Sequence, residues 1–92
     1  VTTRTVTVVN QLGMHARAAA KFVHLAAGYQ SRIVVSRQGR EMDGKSIMGL
    51  LLLAAARGTQ LTISADGPDE ADAAAALAGL VTSGFGEDTC GA

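Results

Sequence analysis

The spacing of apolar residues switches repeatedly between a two-residue and a helical period, and the switches divide the chain into seven elements. RTVTVV at residues 4–9 alternates, with Val6 and Val8 on one face and Thr5 and Thr7 on the other, which predicts a half-exposed strand. NQLG then turns the chain. From Ala16 to Ala27 the period is helical: Ala18, Ala19, Phe22, Leu25 and Ala26 form one stripe, while Arg17, Ala20, Lys21 and His24 share the opposite side. Gly28 follows, a residue suited to a left-handed C-cap. SRIVVSR alternates again around Ile33 and Val35, Gln38 and Gly39 make a tight turn, and REMD returns as a short strand, so this region predicts a hairpin.

Gly44, Lys45 and Ser46 lead into IMGLLLLAAA at residues 47–56, a second helix with Ser46 placed to be its N-cap. That helix is apolar all round, and a small domain cannot bury every side of it. If Leu50, Leu53 and Ala54 face the core, then Ile47, Met48, Leu51 and Leu52 are left outside, either as a partner-binding patch or as a face that a dimer or a loop covers. RGTQ turns into the strand LTISAD, with Leu61, Ile63 and Ala65 inward. GPDE at residues 67–70 is a helix start, with Pro68 in the first turn and acids at the positive dipole end. The last helix runs to Ser83 with Ala73, Leu77, Leu80 and Val81 buried, and residues 85–92 are expected to form a flexible tail. The order is β-α-β-β-α-β-α. Strands with one apolar and one polar face, plus three helices, predict an α+β open-faced sandwich: a four-stranded antiparallel sheet covered by helices on one side.

A length of 92 residues allows one core and one domain. Only 3% of the chain is aromatic, so the core is built from Val, Ile, Leu and Ala around Phe22 and Tyr29, and nucleic-acid stacking has almost no platform. The formal net charge is zero, yet all eight Lys and Arg lie between Arg4 and Arg57, opposed there only by Glu41 and Asp43; the other six acids come from Asp66 onward. This polarity gives a basic end that suits an acidic protein or a phosphate. Cys90 is alone, so no internal disulfide is expected and a reducing compartment is. With no secretory pattern at its start, and with a longest apolar run about half of what a bilayer span needs, the chain is expected to be cytoplasmic without membrane insertion.

The chemistry gathers in NQLGMHARAAA, residues 10–20. Gly13 breaks the strand-like run, His15 stands at the mouth of the first helix, and Arg17 follows two residues later. A helix start offers unpaired NH groups, here those of Ala16 and Arg17, and the positive end of the dipole, which together favour an anion such as phosphate. A cation at that end is unfavourable unless an anion visits, so Arg17 reads as a clamp rather than as a solvated charge. A metal site shared by His15 and His24 is rejected, because nine residues are a half-integral number of helical turns and put the rings on opposite sides.

LGMHARAAAKF at residues 12–22 and GKSIMG at residues 44–49, in this order of elements, resemble the histidine-containing phosphocarrier (HPr) family of the bacterial phosphotransferase system, over about Thr3 to Gly84. The resemblance implies that His15 accepts a phosphoryl group on Nδ1 from phospho-enzyme I and passes it to a IIA-type acceptor of a sugar or nitrogen pathway. Arg17 and the NH groups of Ala16 and Arg17 then hold the phosphate oxygens. Such a protein is no enzyme, needs no cofactor or metal, and works as a monomer acted on by its partners. Ala20, Lys21, His24, Ile47, Met48 and Leu51 are expected on the partner face. Where family members usually carry Pro after the arginine, this chain has Ala18, which removes a stiffening element and no reactive group. The resemblance also implies that Ser46 is phosphorylated from ATP by HPr kinase/phosphorylase in bacteria that possess it. The alternative is a regulatory docking module controlled at Ser46, which would have no need of His15. A ferredoxin-like module for metal or RNA finds neither ligand spacing nor aromatics.

Overall fold

Alternation in the three longer strands fixes which side of the sheet is buried. In the computed structural model, which describes residues 1–10, 12–53 and 55–86, the elements are β1 (Thr2–Thr7), α1 (Ala16–Ala27), β2 (Arg32–Arg37), β3 (Arg40–Asp43), α2 (Ile47–Leu52), β4 (Gln60–Asp66) and α3 (Glu70–Thr82). The four strands form one antiparallel sheet in the order β1-β4-β2-β3. Val6, Ile33, Val35, Leu61, Ile63 and Ala65 are buried on its inner side beneath the helices, and on the outer side Thr5 pairs with Thr62 and Thr62 with Ser36. This is the expected open-faced α+β sandwich with its order of elements intact.

The hairpin between β2 and β3 turns on Gln38 and Gly39, both at positive φ (51° and 83°), as a two-residue primed turn demands. From α1, Ala18, Ala19, Phe22 and Ala26 enter the core and Leu25 lies half-buried against it. From α3, Ala73, Ala74, Leu77 and Val81 are buried and Leu80 is partly so.

Five boundary expectations are corrected. Strand β1 begins at Thr2 and ends at Thr7; Val8 stays buried but leaves the ladder to bond the 58–59 turn, its NH reaching Thr59 O at 2.9 Å and its carbonyl accepting from Gly58 N at 2.8 Å. Gly28 is not left-handed: at φ −75° and ψ −9° it continues the last turn, its NH reaching Leu25 O, and just beyond the helix Lys45 Nζ donates to the carbonyl of Tyr29 at 2.8 Å. Helix α2 stops at Leu52 rather than running to residue 56, and beyond it the carbonyls of Leu53 and Ala55 accept from Arg37 and Met14; Ala54, expected in the core, lies outside the described residues.

Pro68 precedes α3 instead of lying in its first turn. Asp69 is the N-cap position, yet its carboxylate does not cap the helix. It accepts instead from the NH groups of Gln30 and Ser31, both at 2.9 Å, and from the Ser31 hydroxyl, so it ties the end of α1 to the start of α3. Phe85, expected in a flexible tail, belongs to the folded part. Phe85 is fully buried, at a left-handed φ of 59°, with its NH on Leu80 O at 2.8 Å. Lys21 Nζ donates to the Phe85 carbonyl at 2.9 Å. Phe85 is thus a second core aromatic along with Phe22, and residues 87–92, with Cys90, lie outside the described residues.

The hydroxyl of Ser31 and the NH of Gln30, in that order, hold the Asp69 carboxyl below its ordinary range. A depressed carboxylate pKa contributes stability that is fully present above about pH 4 and is lost as pH falls through the folded value. Asp69→Asn is therefore expected to be less stable than wild type at neutral pH, with the gap closing as acid is added. Urea unfolding of both proteins at pH 7, 5 and 3 checks this, and a gap constant with pH would refute it.

Candidate functional site

The site is assembled by a glycine that no other residue can replace without movement. Gly13 has φ +68°, and a Cβ placed on it would lie 2.5 Å from Ala55 O and 2.9 Å from Ala56 Cα. Left-handed backbone alone costs a side-chain-bearing residue about 1–3 kcal/mol, and here the collision is with backbone that cannot rotate away. The close approach lets Met14 N donate to Ala55 O at 2.8 Å, and Met14 itself is buried. Asn10, also buried, donates from Nδ2 to Gly13 O at 2.7 Å, and His15 N donates to the same carbonyl at 2.9 Å.

That loop delivers His15 in extended backbone (φ −83°, ψ 178°) as the N-cap position of α1. Its carbonyl accepts the first intrahelical bond, from Ala19 N at 2.8 Å. The NH groups of Ala16, Arg17 and Ala18 precede that bond and so have no carbonyl partner within the helix. The imidazole is half-buried and does not cap them. Ala16 and Arg17 are exposed, and the first turn carries no acid. A three-turn helix therefore points its positive end outward beside a histidine, with an arginine in its first turn.

Ala20, Lys21 and His24 line the exposed side of α1, as the spacing predicts. Lys21 differs in one respect: its ammonium is engaged by the Phe85 carbonyl, so its charge holds the end of α3 as well as facing outward. Among the described residues no group of three or more His, Cys, Asp or Glu is placed to hold a metal ion.

Ser46 caps α2 as expected. Its Oγ accepts from Gly49 N at 3.1 Å and its carbonyl from Leu50 N at 3.1 Å. Helix α2 packs on α1 and leaves Ile47, Met48 and Leu52 exposed at 42%, 67% and 54%. Leu51, expected on the partner face, is half-buried against the core, and Leu52 takes its outward place, because Leu50 and Leu53 are the residues fully turned in. Leu12, for which the sequence pattern carries no expectation beyond a turn, is 72% exposed three residues before His15. An apolar residue beside the glycine of a polar turn was the available signal.

A family model described as "PTS HPr component phosphorylation site" matches residues 2–83. The chain is 49% identical over 84 residues to the phosphocarrier protein HPr of Cupriavidus necator, covering 91% of this chain and 94% of that one. It is 41% identical over 86 residues to the phosphocarrier protein NPr of Escherichia coli, covering 92% and 96%. Among solved structures it is similar to HPr from Thermoanaerobacter tengcongensis (TM-score 0.91, 39% identity, 96% of this chain and 99% of that one). It is also similar to Crh of Bacillus subtilis, described as a swapped dimer (TM-score 0.74, 39% identity, 86% and 91%). No helix among the described residues is long and apolar enough to cross a membrane. With fold, loop and relatives in agreement, the chain belongs to the HPr family, the phosphocarriers of the phosphotransferase system.

Proposed function

We propose that His15 is the residue that carries the phosphoryl group, taken from phospho-enzyme I and given to IIA-type acceptors. The observation that supports this most is the placement of His15 at the N-cap of α1, with the NH groups of Ala16 and Arg17 outside the intrahelical ladder. A neutral imidazole nitrogen is a nucleophile near pH 7. Its Nδ1 lone pair attacks phosphorus as the N–P bond to the donor histidine breaks, and that bonding pair returns to the donor ring. The phosphoramidate formed is itself a reactive donor, so one side chain both receives and gives. During each transfer the phosphoryl oxygens carry the negative charge, and the amides with the Arg17 guanidinium supply preorganised donors for it. Ala18 in place of proline leaves these donors in place.

The partner face in this reading is the exposed side of α1, from Arg17 through Ala20, Lys21 and His24, together with Ile47, Met48 and Leu52 of α2. It joins a basic strip to an apolar patch, which fits partners with an acidic rim and an apolar centre. Ser46 serves as a regulatory phosphorylation site where HPr kinase/phosphorylase is present. A phosphate there would add close to two negative charges beside Ile47 and Met48, and would repel an acidic partner while the helix start tolerates it.

Incubation with phosphoenolpyruvate and enzyme I is expected to give a label that is lost in acid and kept in alkali. It is absent in His15→Ala, and forms at least about tenfold more slowly in Arg17→Ala. A label on His15→Ala as strong as on wild type would defeat the assignment. Incubation with ATP and the kinase should give an acid-stable label that Ser46→Ala lacks. That variant should also lose about 1 kcal/mol of stability through the missing cap, measurable by urea unfolding, and an unchanged midpoint would contradict the capping role.

A further inference from the structure

Six residues make less than two turns, and a helix of that length does not persist in water unaided. Helix α2 stays formed because both ends are tied. At its start Ser46 Oγ accepts from Gly49 N. At its end the Leu53 NH closes on the carbonyls of Leu50 and Leu51, and the Leu53 carbonyl accepts from Arg37 Nη1 at 2.7 Å. Arg37 is the last residue of β2, set there by the Gln38–Gly39 turn.

The arrangement leaves a donor unsatisfied. Arg37 Nε is buried and has no acceptor among the described residues. An arginine at a strand end could swing into water and satisfy every NH, so holding it inward is tolerated only for a strong, charge-assisted bond. Two residues beyond Leu53, Ala55 O accepts from Met14 N, immediately before His15. Along the chain the Leu53 carbonyl thus falls between α2, which carries the exposed Ile47, Met48 and Leu52, and Ala55, whose carbonyl holds the loop of His15.

We propose that Arg37 is a positioning residue for docking: from the sheet it holds the C-terminal end of α2, and so keeps the apolar patch in fixed register with the His15 loop. This rests on the reading of that patch as the partner face. Arg37 touches no reacting group, so its loss weakens encounter with the phosphoryl donor more than it slows transfer.

The test uses Arg37→Met, which keeps the aliphatic stem and removes the donor, and Arg37→Lys, which restores one. In Arg37→Met, amide exchange at Gly49, Leu50, Leu53 and Met14 should accelerate at least about tenfold, with Leu61 and Ile63 of β4 changing less than about threefold. In transfer from phospho-enzyme I, KM for Arg37→Met should rise about fivefold or more with kcat within about twofold, and Arg37→Lys should recover most of both effects. Unchanged exchange at those four amides overturns the proposal. So does equal acceleration in β4, which marks general destabilisation, or an unchanged KM. Wild-type turnover by enzyme I is measured first: its absence refutes the docking reading itself, whereas normal wild-type turnover with unaltered Arg37→Met refutes only the role of Arg37.

Discussion

The close passage of Gly13 over Ala55 is the constraint from which the site follows. The backbone of the β1–α1 loop lies against the segment after α2 with no room for a Cβ, and only there can Met14 N reach Ala55 O. Met14 is pinned and buried, and the residue after it is the N-cap position of α1. His15 is thereby presented by the backbone at that position, with its ring half-buried. A phosphoryl carrier in the proposed role must offer its histidine to several partners.

A second feature runs through the fold: helix ends are satisfied by side chains from other elements. Lys45 caps the carbonyl of Tyr29 after α1, Lys21 that of Phe85 after α3, and Arg37 that of Leu53 after α2. Each cation meets the negative end of a helix, where the dipole favours it. Three of the eight Lys and Arg are thereby structural. Asp69 does the reverse, leaving its own helix start to bind residues 30 and 31. Short helices and a core poor in aromatics are held together through these crosswise bonds.

What was legible in the sequence was whatever repeats at short range. The alternation of Val6, Ile33, Val35, Leu61 and Ile63, the stripe of α1 and the cap at Ser46 depend on neighbours a few residues apart, and they appear where the spacing puts them. The motif around His15 was legible for the same reason, since a glycine, a histidine and a helix start are adjacent. The errors fall where distant residues compete for a local group. Helix α2 ends four residues before the apolar run does, and nothing near it reveals that the carbonyls beyond its end bind Arg37 and Met14. Phe85 looked like part of a glycine-rich tail because its partner, Lys21, is 64 residues away. Leu51 and Leu52 could not be told apart in a run of four leucines.

The most direct test of the account concerns the helix start rather than the histidine alone. Amide spectra of the isotope-labelled protein would be compared before and after phosphorylation by enzyme I and phosphoenolpyruvate. The account predicts downfield shifts of the Ala16 and Arg17 amide protons as they take up phosphoryl oxygens, with Thr3, Thr5 and Ser64 on the open face of the sheet unmoved. A phosphorylated protein whose Ala16 and Arg17 amides stay where they were would contradict it.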